Sequence, residues 1–137
     1  MKIIKIALFT MLVISVILLG SLLTLSTKEK SVVFGCSPDF WENHLELWKI
    51  VGVDYNDDFD VTFGKDYFDP DITLKEAISV KGAGINHLAR SGTAAYLNAL
   101  VDPEIDEAEV KTAIHFGYIH DIDKFNENCE KKNSSAP

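Results

Sequence analysis

Four carboxylates crowd the start of the segment DYNDDFDVTFGK, residues 54–65: Asp54, Asp57, Asp58 and Asp60. Hard oxygen ligands gathered on one loop suit calcium, above all at extracellular concentrations, where weak binding suffices. In EF-hand register, Asp54, Asn56, Asp58 and Asp60 would take the first four ligand positions. Phe59 then stands where that loop requires glycine, and Lys65 where it requires a bidentate glutamate, which rejects the motif. What remains is a looser calcium site on Asp54, Asp57, Asp58 and Asp60, set against the plainer reading of a solvated acidic loop.

Histidines 44, 87, 115 and 120 are the other candidate ligands. No pair has the HxxxH spacing that puts two imidazoles on one helical face, and His115 and His120 would point to different faces. A hydrogen-bonded structural histidine is the expected state of each. A metal-dependent hydrolase using His44 or His87 with nearby acids is the alternative from the enzyme class. Catalysis has little else to stand on, since the chain has neither GxSxG nor a phosphate-binding glycine loop. The expectation is therefore a protein that is not an enzyme and carries no cofactor beyond the calcium of the looser site.

The two cysteines, Cys36 and Cys129, complete the reactive set. An even count at the two extremes of a small exported domain reads as one disulfide. With no CxxC and no second pair, a thiolate zinc site or a catalytic cysteine is the weaker reading.

The elements that must position these groups follow from caps and periodicity. Ser37-Pro38 starts a helix, with serine as N-cap and proline where its missing N–H costs nothing. Along it, to about Lys49, Trp41, His44, Leu45 and Trp48 share one face, predicting a buried aromatic cluster of Phe40, Trp41, His44 and Trp48 with the histidine beside the tryptophans. Residues 51–71 lack period and predict an ordered loop with at most a short helical turn, pinned by Tyr55, Phe59, Phe63 and Phe68. Thr73 and Glu76 form a capping box for a helix from Leu74 to about Val80. Residues 85–100, nearly free of charge, predict the central helix. Asp102-Pro103 ends it, Asp106 starts another, and a last turn around Ile122 and Phe125 delivers Cys129. The tail EKKNSSAP is polar and expected to fray, and Asn133-Ser134-Ser135 is a glycosylation sequon.

Before all of this, Lys2 and Lys5 precede an uncharged apolar run, residues 6–27, that would span roughly 33 Å as a helix, enough to cross a bilayer. Its length and poor cleavage site favour an uncleaved anchor over a secretory signal peptide. The basic residues ahead of it favour the N-terminus inside and residues 31–137 outside. With Lys2, Lys5, Lys28, Lys30 and Glu29 set aside, that part holds 9 basic and 20 acidic side chains, a formal charge of −11. Such a surface repels nucleic acid and attracts cations, though solubility alone also explains it.

The runs GCSPDFWENHLELW, FDPDITLKEAI, KGAGINHLARSGTAAYLNAL and NENC together resemble a module that recurs in exported and surface proteins of bacteria and archaea. That module opens Gly-Cys-x-Pro-Gly-aromatic-Trp-Lys-Asn-His, continues through a helix of the type LLRxAVAALLNAA and closes on a second cysteine. Gly35, Cys36, Pro38, Phe40, Trp41, Asn43 and His44 match its opening, Ala89, Arg90, Ala94, Ala95, Leu97, Asn98 and Ala99 its middle, and Cys129 its end. Asp39 stands for its glycine and Glu42 for its lysine. The resemblance covers residues 35–129 and implies export and the disulfide, but no activity.

The predicted class is all-α: a small single-core domain of four or five short helices with one disulfide, behind an N-terminal transmembrane or signal helix. The expected organisation is an anchor and linker over residues 1–30, an exported helical domain over 31–130 and a disordered tail over 131–137. The expected role is a structural or binding module held to the membrane through residues 6–27. Its partner would be a cell-surface protein or polysaccharide, met through exposed aromatics of residues 51–71 and an acidic face.

Overall fold

Ser37 Oγ accepts from Phe40 N at 3.1 Å, the N-cap that the Ser-Pro pair predicts. It opens α1, Pro38–Asn43, in a computed structural model that describes residues 35–134. The expected single helix to Lys49 is broken at His44, whose backbone (φ −130°, ψ 53°) leaves the helical region before α2, Leu45–Ile50. Neither glycine nor proline marks the break. Trp41 and Trp48 on either side of it are each fully buried, with Trp48 Nε1 donating to Trp41 O at 3.0 Å.

The loop expected over 51–71 contains a short helix, α3, Phe59–Phe63, capped by Asp58 and closed by Gly64 in the left-handed conformation. A single backbone bridge joins Asp58 to Thr73, and no strand forms among the described residues. The capping box of Thr73 and Glu76 is present at the start of α4, Leu74–Ser79. The central helix is α5, Ile85–Val101, and α6, Glu107–Phe116, follows with Asp106 as its cap. The closing turn is a full helix, α7, Ile119–Ser134, which carries helical structure into the polar tail, where Lys131 and Glu127 pair at i,i+4. The described residues thus form an all-α domain of seven helices where four or five are expected, because one predicted helix splits and α3 is additional.

Small side chains on α5 explain its central place. Ala89, Ser91, Gly92, Ala94 and Ala95 are buried, so α4, α6 and α7 approach its backbone closely. At Gly92 a Cβ would lie 3.0 Å from Ile114 Cγ1, so glycine sets the spacing of α5 and α6. The Cys36–Cys129 disulfide forms, with Cα atoms 5.7 Å apart and a sequence separation of 93. Closing a loop of that size removes unfolded-state entropy worth about 4.7 kcal/mol on the chain-entropy model. Among the described residues no helix is long and apolar enough to cross a membrane, and the apolar run 6–27 lies outside them.

Candidate functional site

The opening aromatic cluster is structural. Trp41 Nε1 donates to Asn98 Oδ1 at 2.7 Å, and Asn98 Nδ2 donates to Cys36 O and to Asn126 Oδ1, both at 2.9 Å. Asn126 Nδ2 in turn reaches Ser91 O at 3.1 Å. Through these bonds Asn98, fully buried, ties the disulfide segment, α1, α5 and α7 together. Gly35 fits the same corner, since a Cβ there would lie 2.3 Å from the Phe40 ring.

His44 does not lie beside the tryptophans as expected. Its ring stacks on Phe40, centroids 4.3 Å apart, and its Nδ1 donates to Phe40 O at 2.7 Å, because the break between α1 and α2 carries it to the half-exposed rim. His87 Nε2 meets the Asp123 carboxylate at 3.0 and 3.2 Å, linking α5 to α7 at the surface. His115 Nδ1 donates to Phe63 O at 3.2 Å. His120 is exposed. No three His, Cys, Asp or Glu side chains converge as a metal-holding set among the described residues.

The four aspartates of the looser calcium site have different local surroundings. Asp54 Oδ1 accepts from the backbone and side-chain nitrogens of Asn56 at 2.9 and 3.0 Å, a local turn. Asp57 is exposed on that turn. Asp58 Oδ1 caps α3 at Val61 N, 2.8 Å away. Asp60 is buried in the first turn of α3, and its Oδ2 accepts from Tyr67 N at 2.7 Å and Phe68 N at 3.0 Å. Asn133 falls in the last turn of α7.

Asp58 and Asp60 instead join Asp66, Asp69 and Asp71 around an open hollow of about 510 Å³ beside α3, with Val61 and Phe68 as its apolar walls. The left-handed turn at Gly64 reverses the chain, and the two N–H groups held by Asp60 fold residues 66–71 back over the helix. Asp66, Asp69 and Asp71 were not among the sequence candidates. Their signal is that they follow a short Asp-capped helix and its glycine stop, which returns them to its start. The charges crowd: the Asp71 carboxyl is raised from its ordinary value, chiefly by Asp58, then by desolvation and by Asp60, Asp66 and Asp69.

The aromatics of residues 51–71 are not a display surface. Phe59 and Phe63 are in the core, and Tyr55, Tyr67 and Phe68 pack against it, so this segment meets solvent chiefly through carboxylates, with Val61 and the edge of Phe68 among them. No known protein family, no curated protein and no solved structure matches the chain.

Proposed function

We propose that residues 31–137 are an exported, non-catalytic binding module, held at the cell surface by an anchor at residues 6–27. Support comes from the Cys36–Cys129 bridge, which joins the two ends of the helical domain. Disulfides of this kind persist in oxidising compartments and close small exported domains whose core is limited. The resemblance to an exported surface module, carried by Gly35, Cys36, Trp41, Asn98 and Cys129, agrees with it. Those residues meet in one buried corner, so the motif is read as scaffold, and the partner, a surface protein or a polysaccharide, must be met elsewhere.

Thiol labelling of intact cells tests the reading. A membrane-impermeant maleimide is expected to leave the native protein untouched and to tag both cysteines once an impermeant reductant is added. Tagging without reduction, or only after the cells are broken, overturns it.

A further inference from the structure

We propose that the hollow beside α3 binds an organic cation with an aliphatic stem, of the kind carried by a lysine side chain or a free polyamine; this deepens the binding-module reading and rests on it.

The hollow holds more negative charge than its surroundings answer. None of Asp58, Asp60, Asp66, Asp69 and Asp71 takes part in an ion pair among the described residues. Lys65 is the basic residue on the rim, yet its Nζ donates to His115 O at 3.0 Å and sits over the Tyr67 ring at 4.8 Å, turned toward α6.

Asp60 supplies an independent reason. It is only 9% exposed, and although Oδ2 takes two backbone N–H groups, the buried Oδ1 has no hydrogen-bond partner. A carboxylate oxygen deprived of both donor and water is costly, and the charge of this buried side chain adds to that of the exposed aspartates lining the same hollow. The raised proton affinity of Asp71 reports the same uncompensated repulsion, which a bound cation relieves.

The walls choose among cations. Calcium needs six or more oxygens at about 2.3–2.6 Å from one point, and no set of even three carboxylates converges that way among the described residues. Val61, 80% exposed, and the half-buried Phe68 offer apolar surface next to the charges. An alkylammonium can lay its stem on that surface while its head meets the aspartates.

The test titrates the full-length chain in neutral detergent at low salt with trilysine amide, with spermidine and with calcium chloride, followed by calorimetry. Trilysine or spermidine is expected to bind, with affinity falling roughly fivefold in the Asp69→Asn/Asp71→Asn double variant and falling again as salt rises. Both aspartates are exposed and Asp71 is repelled by its neighbours, so the variant melts no lower than wild type at neutral pH; Asp60→Asn, which keeps an oxygen for the two N–H groups, is the second variant and is expected to weaken binding as well. Tighter binding of trilysine assigns the site to a partner's basic side chain, and tighter binding of spermidine to a free polyamine. No binding of either, binding indifferent to the substitutions, or calcium alone binding in one-to-one ratio overturns the proposal. The labelling of Cys36 and Cys129 does not involve the hollow, so failure here leaves the export reading standing and the reverse failure is equally recognisable.

Discussion

Replacing Asn98 with leucine removes the amide at the centre of the buried corner and leaves the shape nearly filled. Three groups lose the Asn98 amide as a hydrogen-bond partner at once: Trp41 Nε1–H, Cys36 C=O and Asn126 Oδ1. Each lies where water does not reach, since Trp41, Cys36 and Asn126 are all buried. An unsatisfied buried polar group costs about 1–3 kcal/mol, so the three together cost on the order of 3–6 kcal/mol after partial relaxation. A domain of this size is stable by about 5–15 kcal/mol, and each kcal/mol moves its melting temperature by roughly 4–8 °C. Asn98→Leu is therefore expected to lower the melting temperature by at least ~12 °C with the disulfide intact. Urea unfolding of the full chain under non-reducing conditions, followed by tryptophan fluorescence, measures the free-energy loss directly. Trp41→Phe is the control, because it orphans only Asn98 Oδ1 within the network and should cost about 1–3 kcal/mol. A loss below about 1 kcal/mol for Asn98→Leu would refute the view that this amide holds the corner together.

Two further outcomes follow from packing and from caps. Gly92→Ala places a methyl 3.0 Å from Ile114 Cγ1 and 3.2 Å from its Cδ1, and Ile114 is fully buried, so overpacking of about 1–3 kcal/mol should outweigh the helix-propensity gain of up to ~1 kcal/mol. A variant that melts higher than wild type would show that Ile114 repacks freely. The Glu76 carboxyl is held below its usual value of 4.5, first by the Thr73 backbone N–H and then by its hydroxyl, so its share of stability is present above that pH and is lost as pH falls through the lowered folded value. Asp71 has the opposite sign: its folded value is raised above 3.8, so the folded state loses stability as pH climbs through that raised value. Urea midpoints measured across the acid range should therefore respond in opposite directions to Glu76→Gln and Asp71→Asn, and equal responses would contradict the assignment.

Much of the fold could be read from local chemistry. Ser37, Thr73 and Asp106 each cap the helix that their spacing announces, and the uncharged run at 85–100 is the buried centre. The features that escaped depend on distant partners. The break at His44, between the buried Trp41 and Trp48, has no helix-breaking residue to announce it. Helix α3 is five residues long, too short for periodicity to register, although its cap Asp58 and stop Gly64 are in plain view. Asn98 stands out as a polar residue in an apolar run, but its partners lie 28, 57 and 62 positions away in sequence. The acidic hollow was half visible: Asp58 and Asp60 were candidates, but a template confined to consecutive positions could not show that Asp66, Asp69 and Asp71 return to them while Asp54 turns away.

The sulfur link between Cys36 and Cys129 also settles how the domain would carry a mechanical load. A pull applied to the chain before Cys36 and after Cys129 passes through two sulfur atoms and bypasses the 92 residues between the cysteines. Helices α1 to α6, and the hollow beside α3, then bear no tension while the covalent link holds. Only its reduction would put their packing in the line of force.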